Sequence, residues 1–238
     1  MAESAERRDW LAVGFAALFP TFAAWLYFDL LAGHPAMKTV AGVCKAVQFG
    51  FPLAWVVLVA REPVHMPRPV RAGVGAGLLF GIAVAAAALG LYFAVLKSHP
   101  AFADAPRLVR AKLQDLNCNS PARFLFLGGF ISILHSGLEE YYYRWFLFGR
   151  LRRALAFGPA ALLAGIAFIG HHVIVLNAYV APAYFWTMTL PLCLCVGVGG
   201  VIWSRIYERS GSIGGPWISH IVVDLALMGI GYDLVLRT

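Results

Sequence analysis

The chain has 238 residues, of which 61% are hydrophobic and 13% charged, with a formal net charge of +7. With a mean hydropathy of +0.74, this composition excludes an ordinary soluble domain and a disordered chain. The apolar residues fall in blocks of about 20, the length that crosses a bilayer as a helix. We therefore interpret the positive charge as loop charge beside a membrane, and we expect no nucleic-acid partner.

Seven such blocks follow one another and predict an all-α fold, a polytopic membrane helical bundle with about seven transmembrane helices. We expect residues 1–238 to form a single integral-membrane domain. A polar segment between the third and fourth blocks, Leu108–Leu116, predicts a short amphipathic helix at the membrane surface. The blocks are Trp10–Leu31, Thr39–Ala60, Ala72–Leu96, Phe124–Gly149, Pro159–Tyr179, Tyr184–Tyr207 and Ser212–Leu236.

The distribution of lysine and arginine predicts which helix ends face the cytoplasm. Loops on the cytoplasmic side of a membrane are enriched in these two residues. They are more numerous in the segments that share a side with the N-terminus, so we predict a multi-pass cell-membrane protein with a cytoplasmic N-terminus. The residues on that side are Arg7, Arg8, Arg61, Arg68, Arg71, Arg150, Arg152, Arg153, Arg205 and Arg209.

Three ionisable residues, Glu139, Glu140 and Arg144, lie inside the fourth apolar block. A charge in hydrocarbon costs about 2.5–3.5 kcal/mol on insertion scales, so such residues usually face the bundle interior and mark a functional site. At about 100° per residue, Glu140 and Arg144 share one helix face, which predicts an ion pair between them. Glu139 is then left available, on the face that carries His135 one turn earlier and Tyr143 one turn later.

Two further blocks carry histidines. His171 and His172 lie in the fifth block, and His220 lies in the seventh block, one turn before Asp224. A carboxylate one turn away from an imidazole fixes the tautomer of the ring and favours its charged form. If these helices meet Glu139, their side chains form a water-activating site within the membrane.

The polar residues form three short motifs, each in a different membrane helix. In their order along the chain, they resemble the motifs of the CAAX prenyl endopeptidase and bacteriocin-processing family of intramembrane proteases. The resemblance covers about residues 120–230, which we expect to form the catalytic core. The motifs are Glu139-Glu140-x-x-x-Arg144, Phe168-x-x-x-His172 and His220-x-x-x-Asp224.

This resemblance implies an intramembrane endopeptidase and assigns a role to each motif residue. Glu139 and His172 would activate a water that attacks a peptide carbonyl. His220, together with Asp224, would stabilise the resulting oxyanion. His171 is the second choice of histidine, because His172 has the motif spacing from the phenylalanine.

One position departs from the prenyl-protease branch, which has asparagine where this chain has Asp224. An ionised aspartate cannot donate a hydrogen bond to an oxyanion, so we expect Asp224 to act indirectly by holding His220 as an imidazolium. The pair formed by Glu140 and Arg144 is expected to support the site structurally.

We expect no cofactor, and membrane lipids and a hydrophobic or lipid-modified peptide as partners. A zinc site with ligands supplied from among His135, Glu139, His172 and His220 is the alternative, because zinc with three protein ligands and a water performs the same hydrolysis. Two other classes of function stay open at this point. They are a non-catalytic membrane scaffold or immunity protein and a proton-coupled transporter.

Overall fold

The computed structural model describes residues 2–64 and 71–236, and the side chains of 8–64 and 71–235. Within these residues seven helices are long and apolar enough to cross a membrane, which confirms the all-α fold. An eighth, shorter helix covers nearly all of the predicted segment Leu108–Leu116, and its place at the membrane surface stays a prediction. The eight are α1 Arg8–Leu30, α2 Met37–Ala60, α3 Val74–Ser98, α4 Ala105–Asp115, α5 Pro121–Ala154, α6 Phe157–Asn177, α7 Pro182–Ser210 and α8 Gly214–Val235.

The predicted orientation in the membrane stays a prediction. It counts Arg7 and Arg68, and the side chains of both lie outside the described part of the chain.

The core of the bundle lies between α5 and its neighbours. Small residues of α6, such as Ala160 and Ala164, are fully buried and let aromatic side chains of α5 pack closely against them. Large apolar side chains such as Leu79 and Phe126 point outward and are more than two thirds exposed, at 73% and 77%. An apolar exterior of this kind suits contact with lipid. The buried aromatic residues of α5 are Tyr142, Tyr143, Phe146 and Phe148.

Helices α3 and α8 approach so closely that larger residues would not fit between them. A Cβ atom placed on Gly77 would lie 1.9 Å from the carbonyl oxygen of Gly215, and one on Gly81 would lie 2.9 Å from Cα of Ser219. Small residues that bring two backbones together are a common means of helix association in membranes. This contact fixes the start of α8, where His220 follows Ser219 directly.

Helix α5 is not a regular α-helix over its whole length. Wide turns of the π type occupy Phe130–His135 and Tyr141–Phe148, on both sides of the α-helical turn Ser136–Glu140. The indole N–H of Trp217 on α8 donates to the carbonyl oxygen of Ile133 at 2.9 Å, so one carbonyl of the irregular stretch is bonded from outside the helix. Such π turns often occur at functional sites, and these two flank both glutamates.

An ionic network joins three segments at the end of the bundle where α1 begins. The buried guanidinium of Arg150 contacts Asp9 at 2.8 Å and Glu62 through two bonds of 2.9 and 3.0 Å. Arg153 donates two further bonds of 2.6 Å to Glu62. The network therefore ties α1 and the residues after α2 to the last turn of α5.

The network makes the stability of the protein depend on pH in the acid range. Hydrogen bonds from Arg153 and then Arg150 lower the pKa of Glu62 to about 2, from an ordinary value of 4.5. A carboxylate whose pKa is lowered in the folded state stabilises the protein fully above its unfolded pKa, and this stabilisation is lost as the pH falls through the folded pKa. Glu62 is partly exposed, so solvent and salt screen its contribution and keep it small.

We expect Glu62→Gln to lower the melting temperature in detergent slightly at about pH 7, where Glu62 is ionised in both states. The difference from wild type should narrow as the pH falls from about 4.5 towards 2. Thermal unfolding at a series of pH values measures this. Glu208→Gln, which removes a carboxylate from the separate pair with Arg152, controls for the change in net charge. A difference that stays constant down to the lowest pH would contradict the assignment.

Candidate active site

Glu139 on α5 is the centre of a cluster of imidazoles from three helices. Its side chain is buried, with 4% of the residue exposed. Oε1 lies 3.3 Å from Nε2 of His135, one turn earlier on α5, and 3.4 Å from Nε2 of His171 on α6. Oε2 lies 3.8 Å from Nε2 of His220 on α8. We call Glu139 and these three histidines the Glu139 cluster. The convergence of Glu139 with α6 and α8 follows the sequence hypothesis.

Glu140 contacts a different set of partners. Its Oε2 lies 3.1 Å from Nε of Arg144, so the ion pair predicted from the spacing is present. Its Oε1 contacts Nδ1 of His220 at 2.9 Å, a hydrogen bond that the sequence analysis did not predict. Glu140 therefore connects the arginine of its own helix to the histidine of α8.

Arg144 is fully buried and is surrounded by aromatic rings. Its guanidinium carbon lies 5.0 Å from the ring centre of Phe168 and 5.3 Å from that of Trp203. Cation–π contacts of this kind stabilise a desolvated arginine. A Cβ atom added to Gly200 would lie 3.7 Å from Nη2 of Arg144, so α7 passes directly beside the guanidinium.

The ring of His220 is held on three sides. It stacks on Trp203, with ring centres 4.5 Å apart and planes inclined by 21°. Its Nδ1 is bonded to Glu140, while Nε2 lies 3.7 Å from Oδ1 of Asp224. The four-residue separation of His220 and Asp224 predicted Asp224 as the partner that orients the His220 ring. The structure adds a closer partner in Glu140 and leaves Asp224 beside the other ring nitrogen, on the side of Glu139.

The two adjacent histidines of α6 differ in their surroundings. His171, the second choice from the sequence, contacts Glu139, whereas the described structure has no ion pair between His172 and Glu139. Neighbouring residues on a helix point about 100° apart, so the two imidazoles leave α6 in different directions. His172 is partly buried, and its Nδ1 lies 2.8 Å from the carbonyl oxygen of Phe168, while its ring centre lies 4.1 Å from that of His171.

Sequence reasoning missed several aromatic residues of the site. The hydroxyl of Tyr143 lies 3.1 Å from Nδ1 of His171, and Trp203 supports both His220 and Arg144. For Tyr143, the sequence offered one indication, its position one turn after Glu139 on the same helix face. It offered none for the contacts of Trp203. On α2, Phe49 packs edge-to-face on His135 with ring centres 5.7 Å apart, and the ammonium of Lys45 lies 5.3 Å from the Phe49 ring centre.

The zinc alternative depends on whether the histidine and carboxylate side chains of this site are placed to hold a metal ion. Among the described residues, no group of three or more histidine, cysteine, aspartate and glutamate side chains is arranged to hold a metal ion. The expectation of a metal-free site and the zinc alternative both stay predictions that chelation tests.

Comparison with known families finds a match over the part of the chain that carries the Glu139 cluster. Residues 121–226 match the family model described as Type II CAAX prenyl endopeptidase Rce1-like. The seven apolar helices make the protein a multi-pass membrane protein, and residues 121–226 are similar to a protease family. The match confirms the predicted resemblance to the CAAX prenyl endopeptidase family. All three motifs lie within it. Comparisons with curated proteins and with solved structures gave no significant match.

Proposed function

We propose that the protein is a glutamate-dependent intramembrane endopeptidase. The observation that carries this proposal is the Glu139 cluster, a buried carboxylate in contact with imidazoles from α5, α6 and α8. It lies in the segment that matches a protease family. Paired carboxylate and imidazole groups shielded from bulk water are suited to moving protons between water, a peptide and the enzyme.

In this mechanism Glu139 and His172 activate the water. Nδ1 of His172 lies against the carbonyl oxygen of Phe168 and therefore carries the proton that it donates there. This leaves the lone pair of Nε2 free to accept a hydrogen bond from the water, whose proton goes to Glu139. Water attacks the peptide carbonyl and gives its proton to the carboxylate of Glu139, a C–O bond forms, and the tetrahedral intermediate then breaks its C–N bond. Glu139 returns the proton to the leaving amine.

His220 is the proposed oxyanion donor. With Nδ1 bonded to Glu140, its Nε2 is the nitrogen that can donate to the negative oxygen of the intermediate. Donors fixed in place before the reaction are worth about 10²–10³ in turnover. The carboxylates of Glu140 and Asp224 balance the charge of an imidazolium at this position. Asp224 thus acts through His220, and the pair of Glu140 and Arg144 keeps the carboxylate in place.

The substrate of this proposal is a membrane-associated or hydrophobic peptide, with or without a lipid modification. The apolar exterior of the helices lets such a peptide reach the bundle through the lipid, without first entering water. Location in the cell membrane with a cytoplasmic N-terminus is part of the same proposal.

The test is hydrolysis by the purified protein in liposomes. Membrane-anchored and lipidated peptides should be cut, and in heavy-oxygen water mass spectrometry should find the label in the new carboxyl group of the product. Binding of these peptides without cleavage would favour a scaffold, and movement of protons or solutes without cleavage would favour a transporter. Either result would overturn the endopeptidase.

We also expect hydrolysis to be independent of a metal ion. Activity should persist after exhaustive chelation, since a glutamate and a histidine supply the proton transfers. Elemental analysis of the active protein should find far less than one zinc per chain. Loss of activity on chelation, restored by adding zinc, would contradict this and would make His135 a candidate ligand.

A further inference from the structure

We infer that Tyr143 and His171 form a positioning pair that holds Glu139 for the reaction, an inference that rests on the proposed function. Nδ1 of His171 lies 3.1 Å from the hydroxyl of Tyr143, and its Nε2 lies 3.4 Å from Oε1 of Glu139. Tyr143 follows Glu139 by one turn on α5. The imidazole from α6 is thus clamped between two side chains of the same neighbouring helix.

Hydrogen-bond chemistry assigns the tautomer of His171. A neutral imidazole has one N–H donor and one acceptor nitrogen, and a carboxylate only accepts. If Nε2 carried the lone pair, it would face the oxygen of Glu139 at 3.4 Å without a proton between them. Nε2 therefore carries the proton and donates towards Glu139, while Nδ1 accepts the proton of the Tyr143 hydroxyl. The hydroxyl sets the tautomer, and the tautomer orients the carboxylate.

The opposite arrangement at His172 divides the work between the two adjacent histidines. There, Nδ1 donates to the carbonyl oxygen of Phe168 and Nε2 is free to accept. His171 has its two nitrogens committed to Tyr143 and Glu139. His171 is thus a donor that fixes Glu139, the base that takes the proton of the water, and His172 keeps an acceptor nitrogen that can receive a hydrogen bond from the same water. Neighbouring residues of the same type perform different tasks because their Nδ1 partners differ.

Packing keeps the pair rigid. Tyr143 is fully buried, its ring meets Phe168 edge-to-face at 4.8 Å, and its plane is within 15° of that of His171. Phe168 also contacts His171 edge-to-face at 5.5 Å. Neither ring can rotate without disturbing the other, so the direction of the bond to Glu139 is set before substrate arrives.

The first test compares two adjacent tyrosines that differ in what their hydroxyls contact. Tyr142 is as buried as Tyr143, but its hydroxyl donates to the carbonyl oxygen of Ala16 at 3.0 Å. Tyr143→Phe should lower kcat by roughly 10-fold to 100-fold with little change in KM, by analogy with the loss of hydrogen-bond partners that orient metal-binding side chains. Tyr142→Phe removes a comparable buried bond and should leave kcat near wild type. Equal kcat values for the two variants would overturn the pair.

A second test compares kcat for two conservative replacements of His171, because the assigned tautomer predicts which of them keeps more activity. Glutamine can place an amide N–H near the position of Nε2, whereas asparagine places it near Nδ1. His171→Gln should therefore retain more kcat than His171→Asn. The reverse order would contradict the assigned tautomer.

Nuclear magnetic resonance of isotope-labelled histidine tests the pair without any substrate. In wild type, His171 should show a proton on Nε2 and His172 a proton on Nδ1, with the signals assigned from the His171→Gln variant. Tyr143→Phe should disturb the signal of His171, and Tyr142→Phe should not. A proton on Nδ1 of His171 would refute the pair even in an active enzyme. If no hydrolysis is found with any peptide, the proposed function fails, while these spectra still decide on the pair.

Discussion

Glu139→Gln should reduce the rate of peptide hydrolysis by about 10²–10⁴, the range for loss of a positioned general base. The amide has the shape of the carboxylate but cannot accept the proton of the attacking water. His135 and His171, which now face a carboxylate oxygen at 3.3 and 3.4 Å, would face a neutral group instead. Initial rates with the purified variant, at saturating and at limiting peptide, measure the effect. The loss should fall on kcat.

Glu140→Gln is the matched control, because it makes the same chemical change at the next residue. Glu140 forms an ion pair with Arg144 and a hydrogen bond with His220, so its replacement should lower both thermal stability and activity. Glu139→Gln should keep a melting temperature close to wild type. If the Glu139→Gln protein hydrolyses peptide at a rate within about threefold of wild type, Glu139 is not the general base of the reaction.

Contacts between side chains one turn apart on the same helix could be predicted well from the sequence. Glu140 and Arg144 are paired as a helical wheel requires, and His135 meets Glu139 across one turn. In both cases the two side chains are held by the same backbone. Apolar length likewise determines the seven spans, since any helix that crosses hydrocarbon must be about that long.

Contacts between helices could not be predicted to the same degree. The bond between Glu140 and His220 depends on how far α8 is displaced along α5, and no local spacing records this displacement. The glycines at 77 and 81 indicate a close approach of helices, yet they do not identify α8 as the partner. The π turns on both sides of Glu139 also alter the angles of a regular wheel over α5.

The choice between His171 and His172 shows this limit most clearly. Motif spacing selects His172, and the structure brings His171 to Glu139. Motif spacing and structure agree if His171 and His172 have different tasks. In the inference above, His171 donates to Glu139 from Nε2, whereas His172 keeps Nε2 as an acceptor. Rotation of α6 about its axis decides which ring meets the carboxylate, and this rotation is set by packing of alanines and Phe168 against α5. The extent of the single domain and the roles of the site residues stay predictions.

The pairing of Arg144 has the largest expected effect on stability. Its guanidinium is fully buried against Phe168 and Trp203 and lies 3.1 Å from Glu140. Arg144→Ala leaves the carboxylate of Glu140 buried without the guanidinium, with only His220 beside it, and removing one partner of a buried ion pair costs about 3–5 kcal/mol. We expect a large loss of thermal stability and of yield in detergent, together with lower activity.

Two further variants separate the pair from simple loss of packing. Arg144→Lys should recover only part of the stability, because an ammonium lacks the planar guanidinium that lies against Phe168 and Trp203. The double variant Glu140→Gln with Arg144→Met removes both charges and should be more stable than Arg144→Ala, since no unpaired charge stays buried. Arg152→Ala breaks a partly exposed pair with Glu208 and a bond to the carbonyl oxygen of Leu155, and it should change the melting temperature little. Melting temperatures of Arg144→Ala and Arg152→Ala that both equal wild type would show that the buried pair does not stabilise the bundle.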